Sequence, residues 1–273
     1  MSLTAATRAE TTKQFTTSMW WILAIVLVAY IGSAAAGMAA VFAGSSSGAL
    51  PGGDAPALPS EQLPPLLYSM ATAVGYVFPL LIGTLMVTTE FRHQTLTPTF
   101  LATPQRGRVL VAKLAVGVLL GVLFGVLAVF AAVAPSAGVL AGFGLETGLD
   151  SAETWTMIGR MLIAFVLWTL IGVGIGALVR NQVGAIVGVL VFTQFLEPII
   201  RLAAGYVEVL GDAAEFLPGA AGDALVGASL YNSALVGATE TGLEWWQGGI
   251  VLLGYAVVLI VLGHLVSWRR DVS

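Results

Sequence analysis

The sequence predicts an all-α integral membrane protein. It predicts six transmembrane helices, an N-terminal interfacial helix, and short external helices between spans five and six. Three observations predict this. Of 273 residues, 58% are hydrophobic and only 10% charged, and mean hydropathy is +0.93. A soluble domain carries about 25% charged residues to cover its surface, so lipid must cover much of this one. Apolar runs recur at the length, about 20 residues, that a helix needs to cross a bilayer core. Lys and Arg then segregate between the connecting segments. The chain reads as a single transmembrane domain over residues 1–273. It contains no cysteine, which excludes disulfides and thiolate metal sites.

The elements follow in chain order. Residues 1–18 contain SLTAATRAETTKQFTTS, a mixed segment that runs into Trp20 and Trp21. Paired Trp suits a headgroup zone, and Leu3, Ala6 and Phe15 supply a thin apolar face, so a short interfacial helix is expected. A frayed, solvated tail is the other reading of so weak a face. The first apolar run is too long for a cleavable signal peptide, and no small-residue cleavage site follows it. Spans are expected at about 19–43, 66–87, 109–134, 157–179, 183–204 and 246–266. The fifth is the least regular. Residues 183–196 cover only about 21 Å at 1.5 Å per residue, so the helix should continue through Glu197 and Pro198 towards Ala204.

The connections differ in character. Residues 44–65 are rich in Gly, Pro and Ser and read as a loop. Residues 135–156 read as a second loop on the same side, with Glu146, Asp150 and Glu153. The stretch 203–244 is too long for a structureless connection. Its segments YVEVLGDAAEF and GDALVGASLYNSALVG are helix-like but too short to span. Short helices are expected there, on the outer face or dipping into the outer leaflet. With six spans both termini share a side. That side holds Arg8, Lys13, Arg92, Arg106, Arg108, Lys113, Arg180, Arg269 and Arg270, nine of the eleven basic residues, against Arg160 and Arg201 on the other. The split predicts that both termini are cytoplasmic, and the chain is expected in the plasma membrane.

Motifs of soluble enzymes are absent. The lysines are Lys13 and Lys113, and neither follows Gly, so no G-x-x-x-x-G-K-[ST] exists to hold a nucleotide. No H-E-x-x-H or G-x-S-x-G occurs. His93 and His264 are not read as a metal pair, and His264 reads as an interfacial or packed side chain. No catalytic residue, metal site or nucleic-acid partner is expected. Gly117, Gly121 and Gly125, then Gly172 and Gly176, then Gly184 and Gly188, repeat every four residues and let helices approach closely, whether to move or to pack.

Polar side chains inside spans are more selective clues, because they are costly there. Ser69, Thr72 and Tyr76 share one face of span two, with a kink expected at Pro79 just beyond. Gln194, Glu197 and Arg201 share one face of span five, where Arg201 is spaced to pair with Glu197. Two readings stand: a polar path between spans two and five, or a boundary carboxylate with a local ion pair.

One stretch stands apart. Residues 88–108, TTEFRHQTLTPTFLATPQRGR, place three Arg, one His, one Glu and six Thr between two apolar runs. This loop resembles the first cytoplasmic loop of ABC-2 type permeases of bacterial ABC exporters, in a branch common among high-GC Gram-positive bacteria. There the loop reads roughly E-[FY]-R-x-G-T followed by L-x-T-P-x-R-x-R. Residues 88–114 carry the specific match. The six-span layout, the N-terminal Arg/Glu/Lys segment, the Trp pair and the long last external loop extend it over most of the chain. Gln94 stands where the family usually has Gly.

The resemblance implies a permease pairing with a second permease copy, a homodimer or close homologue. Two separate ATPase subunits, which bind ATP and Mg, would dock below. It implies a coupling loop comprising Glu90, Phe91, Arg92, His93, Gln94, Thr95, Leu96, Thr97, Pro98, Thr99, Phe100 and Thr103. Glu90 and Arg92 would brace the loop. A short helix between Thr95 and Ala102 would present Leu96, Thr99, Phe100 and Thr103 to the ATPase. Helix-in-groove docking needs such apolar contacts with polar edges. The transport path would run along the dimer axis, lined by spans two and five. The expected function is therefore the membrane half of an ATP-driven exporter, not an enzyme and without a cofactor of its own. The alternatives are a membrane-embedded binding or immunity protein without an ATPase, and an ion-coupled secondary transporter. The last would need more buried titratable groups in mid-span than Glu197 alone.

Overall fold

Helix α1, Leu3–Thr16, starts where the Ser2 hydroxyl accepts a hydrogen bond from the Ala5 amide, the usual N-cap arrangement. It buries Ala6, Glu10 and Gln14, spaced by four. At its end the Trp20 indole donates to the Phe15 carbonyl at 3.2 Å and the two rings meet edge-on. That contact fixes the corner into α2, Met19–Ser46, the first span. The computed structural model from which these elements are drawn describes residues 2–47, 59–102, 105–204, 211, 213–228 and 242–268. Among them all regular structure is helical, and six helices are long and apolar enough to cross a membrane. The protein is an all-α membrane protein.

Span one buries a single stripe, Ala24, Leu27, Ile31, Ala35, Ala39 and Ala43, and packs on span three. Span two, Ser60–Arg92, is the most enclosed of the six. It is assembled from α3, Leu63–Tyr68, α4, Met70–Ala73, and α5, Val77–Arg92. The expected kink lies just before Pro79. Proline has no N–H, so the Gly75 carbonyl loses its usual i+4 donor and accepts instead from Phe78 N at 3.1 Å. The helix therefore tightens and re-starts at Val77.

Helix α5 ends in a Schellman motif. Thr95 N donates to the Glu90 carbonyl at 3.1 Å and Gln94 N to the Phe91 carbonyl at 3.3 Å. This geometry needs a left-handed residue at position 94, and Gln94 adopts φ 55°. A short helix follows, α6, Leu96–Ala102.

Span three is longer than its apolar run implies. Helix α7 covers Arg106–Gly142, passing through Pro135, and α8 begins at Ala152. The loop expected at 135–156 shrinks to 143–151. Ser136 and Leu140 stay buried beyond the proline, so packing outweighs the local helix-breaking signal. Helix α8, Ala152–Leu178, is the common neighbour of spans two, three and six. Glycine makes all three of these contacts close. A Cβ at Gly172 or Gly176 would strike the backbone of α5 at Leu80 or Thr84, and one at Gly121 would strike the Val166 backbone of α8. Gly184 and Gly188, which share the spacing, face no neighbouring helix within 4 Å. That third glycine pair is not a packing motif.

Span five, Gln182–Ala204, comprises α9, Gln182–Val191, a π-helical turn Phe192–Leu196, and α10, Glu197–Ala204. The wide turn prepares the chain for Pro198. In its register Glu197 N reaches the Phe192 carbonyl. Pro198 would serve Thr193 next but has no donor, and the Tyr76 hydroxyl from span two donates to that carbonyl at 2.9 Å. Of the helices expected between spans five and six, α11, Pro218–Val226, is present and wholly buried against α8 and α12. The sequence leads to short helices on the outer face or dipping into the outer leaflet; this one is enclosed by its neighbours. The segment at 206–210 and most of the second expected helix fall outside the described residues. Span six is α12, Trp245–Gly263, continued by a π turn His264–Trp268.

Candidate functional site

Two regions gather the polar side chains. The first lies at the end that carries α1. Four charges alternate there around a near-square. Lys113 Nζ is 2.6 Å from Glu10 Oε2 and 3.0 Å from Glu90 Oε2, while Lys13 Nζ is 2.7 Å from Glu10 Oε1 and 3.0 Å from Glu90 Oε1. Lys113 is fully buried, Glu10 and Glu90 nearly so, and Lys13 half-exposed. The group is neutral overall, which is how charges persist at such burial. Burial opposes ionisation of Glu10, but attraction by Lys113 and Lys13 outweighs it and holds this carboxyl below its ordinary value. Burial likewise opposes the charge on Lys13, and its two carboxylates raise it above its ordinary value.

The group joins four elements. Glu10 and Lys13 belong to α1, Glu90 to span two, Lys113 to span three, and Lys13 Nζ also donates to Thr99 Oγ1 of α6 at 3.2 Å. Glu90 thus ties span two to α1 and span three through Lys13 and Lys113, partners that were not foreseen. The signal was present. Lys113 is an isolated cation inside an apolar run, and Glu10 is the one acid before span one.

The loop residues fall on two sides. Arg92 and His93 are exposed, and Arg92 Nη1 reaches Gln182 Oε1 at the start of span five at 3.5 Å. Phe91 packs on the core. Gln94 and Thr95 form the exposed turn. Leu96 was expected to face outward but is fully buried in the core, so it is not a docking contact. Seven residues make only two turns of helix, and the buried turn of α6 begins at its first residue. Phe100 is half-buried beneath the Arg106 guanidinium, 5.1 Å from its ring centroid. Thr99 is engaged with Lys13. The outward residues are Thr97, Pro98 and Leu101, the last 78% exposed. Thr103 lies outside the described residues.

The second region is a cavity of about 250 Å³ between spans two, four and five and α11. Five of the six expected path residues line it: Thr72, Tyr76, Gln194, Glu197 and Arg201. Ser69 does not; it is buried and its hydroxyl donates back to the Leu66 carbonyl at 2.7 Å. The expected pairing within span five is also corrected. Arg201 pairs with Asp223 of α11 at 2.6 Å. Glu197 Oε1 accepts from the Gly219 and Ala220 amides at 2.5 and 3.3 Å, at the N-terminus of α11. A carboxylate there satisfies orphan donors and the positive end of the helix dipole. Gly219 permits the approach, since a Cβ there would strike Glu197. Trp168 and Asp223 also line it, and neither was foreseen from sequence. Their relevance depends on α11 folding inward, which no local periodicity announces.

The chain matches no protein-family model, and no curated protein matches it significantly.

Proposed function

We propose that this protein is the membrane-spanning permease of an ATP-driven exporter of the ABC-2 type, energised by a separate ATPase and working as a dimer with a second permease copy. The observation that carries the reading is the loop between spans two and three. Its sequence resembles the coupling loop of such permeases. It contains a short helix whose outer face offers Thr97, Pro98 and Leu101, and whose inner face is tied to the spans through Glu90, Lys13 and Lys113. A push on such a helix moves α1, span two and span three together. The polar cavity between spans two and five supports the same reading, because it supplies a place for cargo on the expected path. In this reading the α1 end is cytoplasmic.

The reading predicts a Walker-motif ATPase encoded beside this chain, and the test is co-purification with it. Thr97→Asp with Leu101→Asp places two charges on the docking face and touches no core residue. The double variant should insert normally and lose the ATPase, since an apolar contact would have to bury unpartnered charge. Equal recovery of the ATPase by wild type and variant, at equal permease abundance, would contradict the docking role.

A further inference from the structure

We propose that the cavity between spans two, four and five and α11 binds a small hydrophobic amine in its protonated form, with Glu197 as the counter-ion. This deepens the permease reading by naming a cargo class, and it rests on that reading only for the subsequent export.

Among the described residues, the charge balance of the cavity selects a cation. Arg201 and Asp223 neutralise one another at 2.6 Å. Glu197 remains, 1% exposed, with Oε1 held by two backbone amides. Its other oxygen, Oε2, is buried and has no hydrogen-bond partner among the described residues. Buried acceptors are almost always satisfied, so an unmet carboxylate oxygen on a residue that lines the cavity points to a donor that arrives with a ligand. A charged N–H is the strongest such donor. An anion is disfavoured, because the amides that could have received it are already taken by Glu197.

The remaining lining sets the character of the ligand. Tyr76 and Trp168, with ring centroids 4.7 Å apart, offer aromatic surface that tolerates a cation. Ala73, Val74 and Ala164 are apolar. The volume lies below the roughly 300–1,000 Å³ of drug-sized pockets, so the amine is small. A second cavity of about 640 Å³ lies one helical turn away along both α8 and α11, where Arg160 precedes Ala164 and Gly227 follows Asp223. Glu61, Glu146, Asp150 and Glu153 line it against Arg160. This excess of acid concentrates cations beside the amine site.

The experiment uses the full chain in lipid nanodiscs, without ATP or ATPase, and radiolabelled 2-phenylethylamine as the probe. Empty nanodiscs give the lipid background. Saturable binding is expected, with no competition from the neutral 2-phenylethanol. Glu197→Gln should weaken binding by about ten-fold or more, the scale of one charge-assisted hydrogen bond. Ala73→Leu, which fills the cavity and leaves the Glu197 contacts intact, should abolish it and decides the matter if the Glu197 variant does not fold. No saturable binding, equal competition by the alcohol, or unchanged binding by both variants would overturn the proposal. Because no ATPase is present, this result and the docking result can fail separately.

Discussion

Lys113 is the residue on which the α1 end depends most. Fully buried, it faces the carboxylates of Glu10 and Glu90. Removing one partner from such a group leaves buried charge uncompensated, at a cost of about 3–5 kcal/mol. Lys113→Met should therefore lower the thermal unfolding temperature of the purified protein sharply. Adding Glu10→Leu should recover much of the loss, because the Lys13–Glu90 pair then remains balanced. The pH dependence follows from Glu10. Its carboxyl is held below its ordinary value, so its stabilisation is complete above the carboxylate range and is lost as pH falls through the depressed value. Release of α1 on acidification below the ordinary carboxylate range is expected, read by protease access to its backbone. Release centred near neutrality would contradict the assignment. Gln94 is a second single-residue device: it carries the left-handed turn that ends span two without the freedom of glycine.

At the scale of elements, spacing identified contacts but not their partners. The repeats Gly117, Gly121, Gly125 and Gly172, Gly176 were legible as packing motifs, and the structure places them at the α7–α8 and α5–α8 contacts. Gly184 and Gly188 have the same spacing and border a lipid-like apolar crevice instead. Gly172→Val should destabilise by roughly 1–3 kcal/mol, because its side chain would enter the Leu80 backbone. Gly188→Ala should change stability by no more than about 0.5 kcal/mol. Unfolding temperatures of both variants in one detergent would check the pair, and equal losses would show that spacing alone decides. The same limit explains Leu96. The resemblance marked α6 as a helix, but two turns carry too little periodicity to say which side is buried. Pro135 misled for the opposite reason: a local breaker was overridden by burial of Ser136 and Leu140.

At the scale of the molecule, six spans, a helix at the N-terminus and polar stripes on spans two and five were readable from lipid-scale apolar runs and from costly polar residues within them. The inward fold of α11 was not, because a nine-residue helix buried on all sides has no amphipathic signature. Its absence from the sequence reading also mispaired Arg201, whose partner Asp223 comes from that helix. The account as a whole claims that α6 faces the cytoplasm and is covered there by an ATPase. The most direct measurement exploits the cysteine-free chain. Leu101→Cys supplies a single thiol at the most exposed large hydrophobic side chain of the loop helix. Its reaction with an impermeant maleimide is followed in intact cells and in inverted vesicles, with and without the proposed partner ATPase. The account predicts no labelling in intact cells, rapid labelling in inverted vesicles, and protection when the ATPase is present. Labelling from outside intact cells, or labelling in inverted vesicles that the ATPase leaves unchanged, would contradict it.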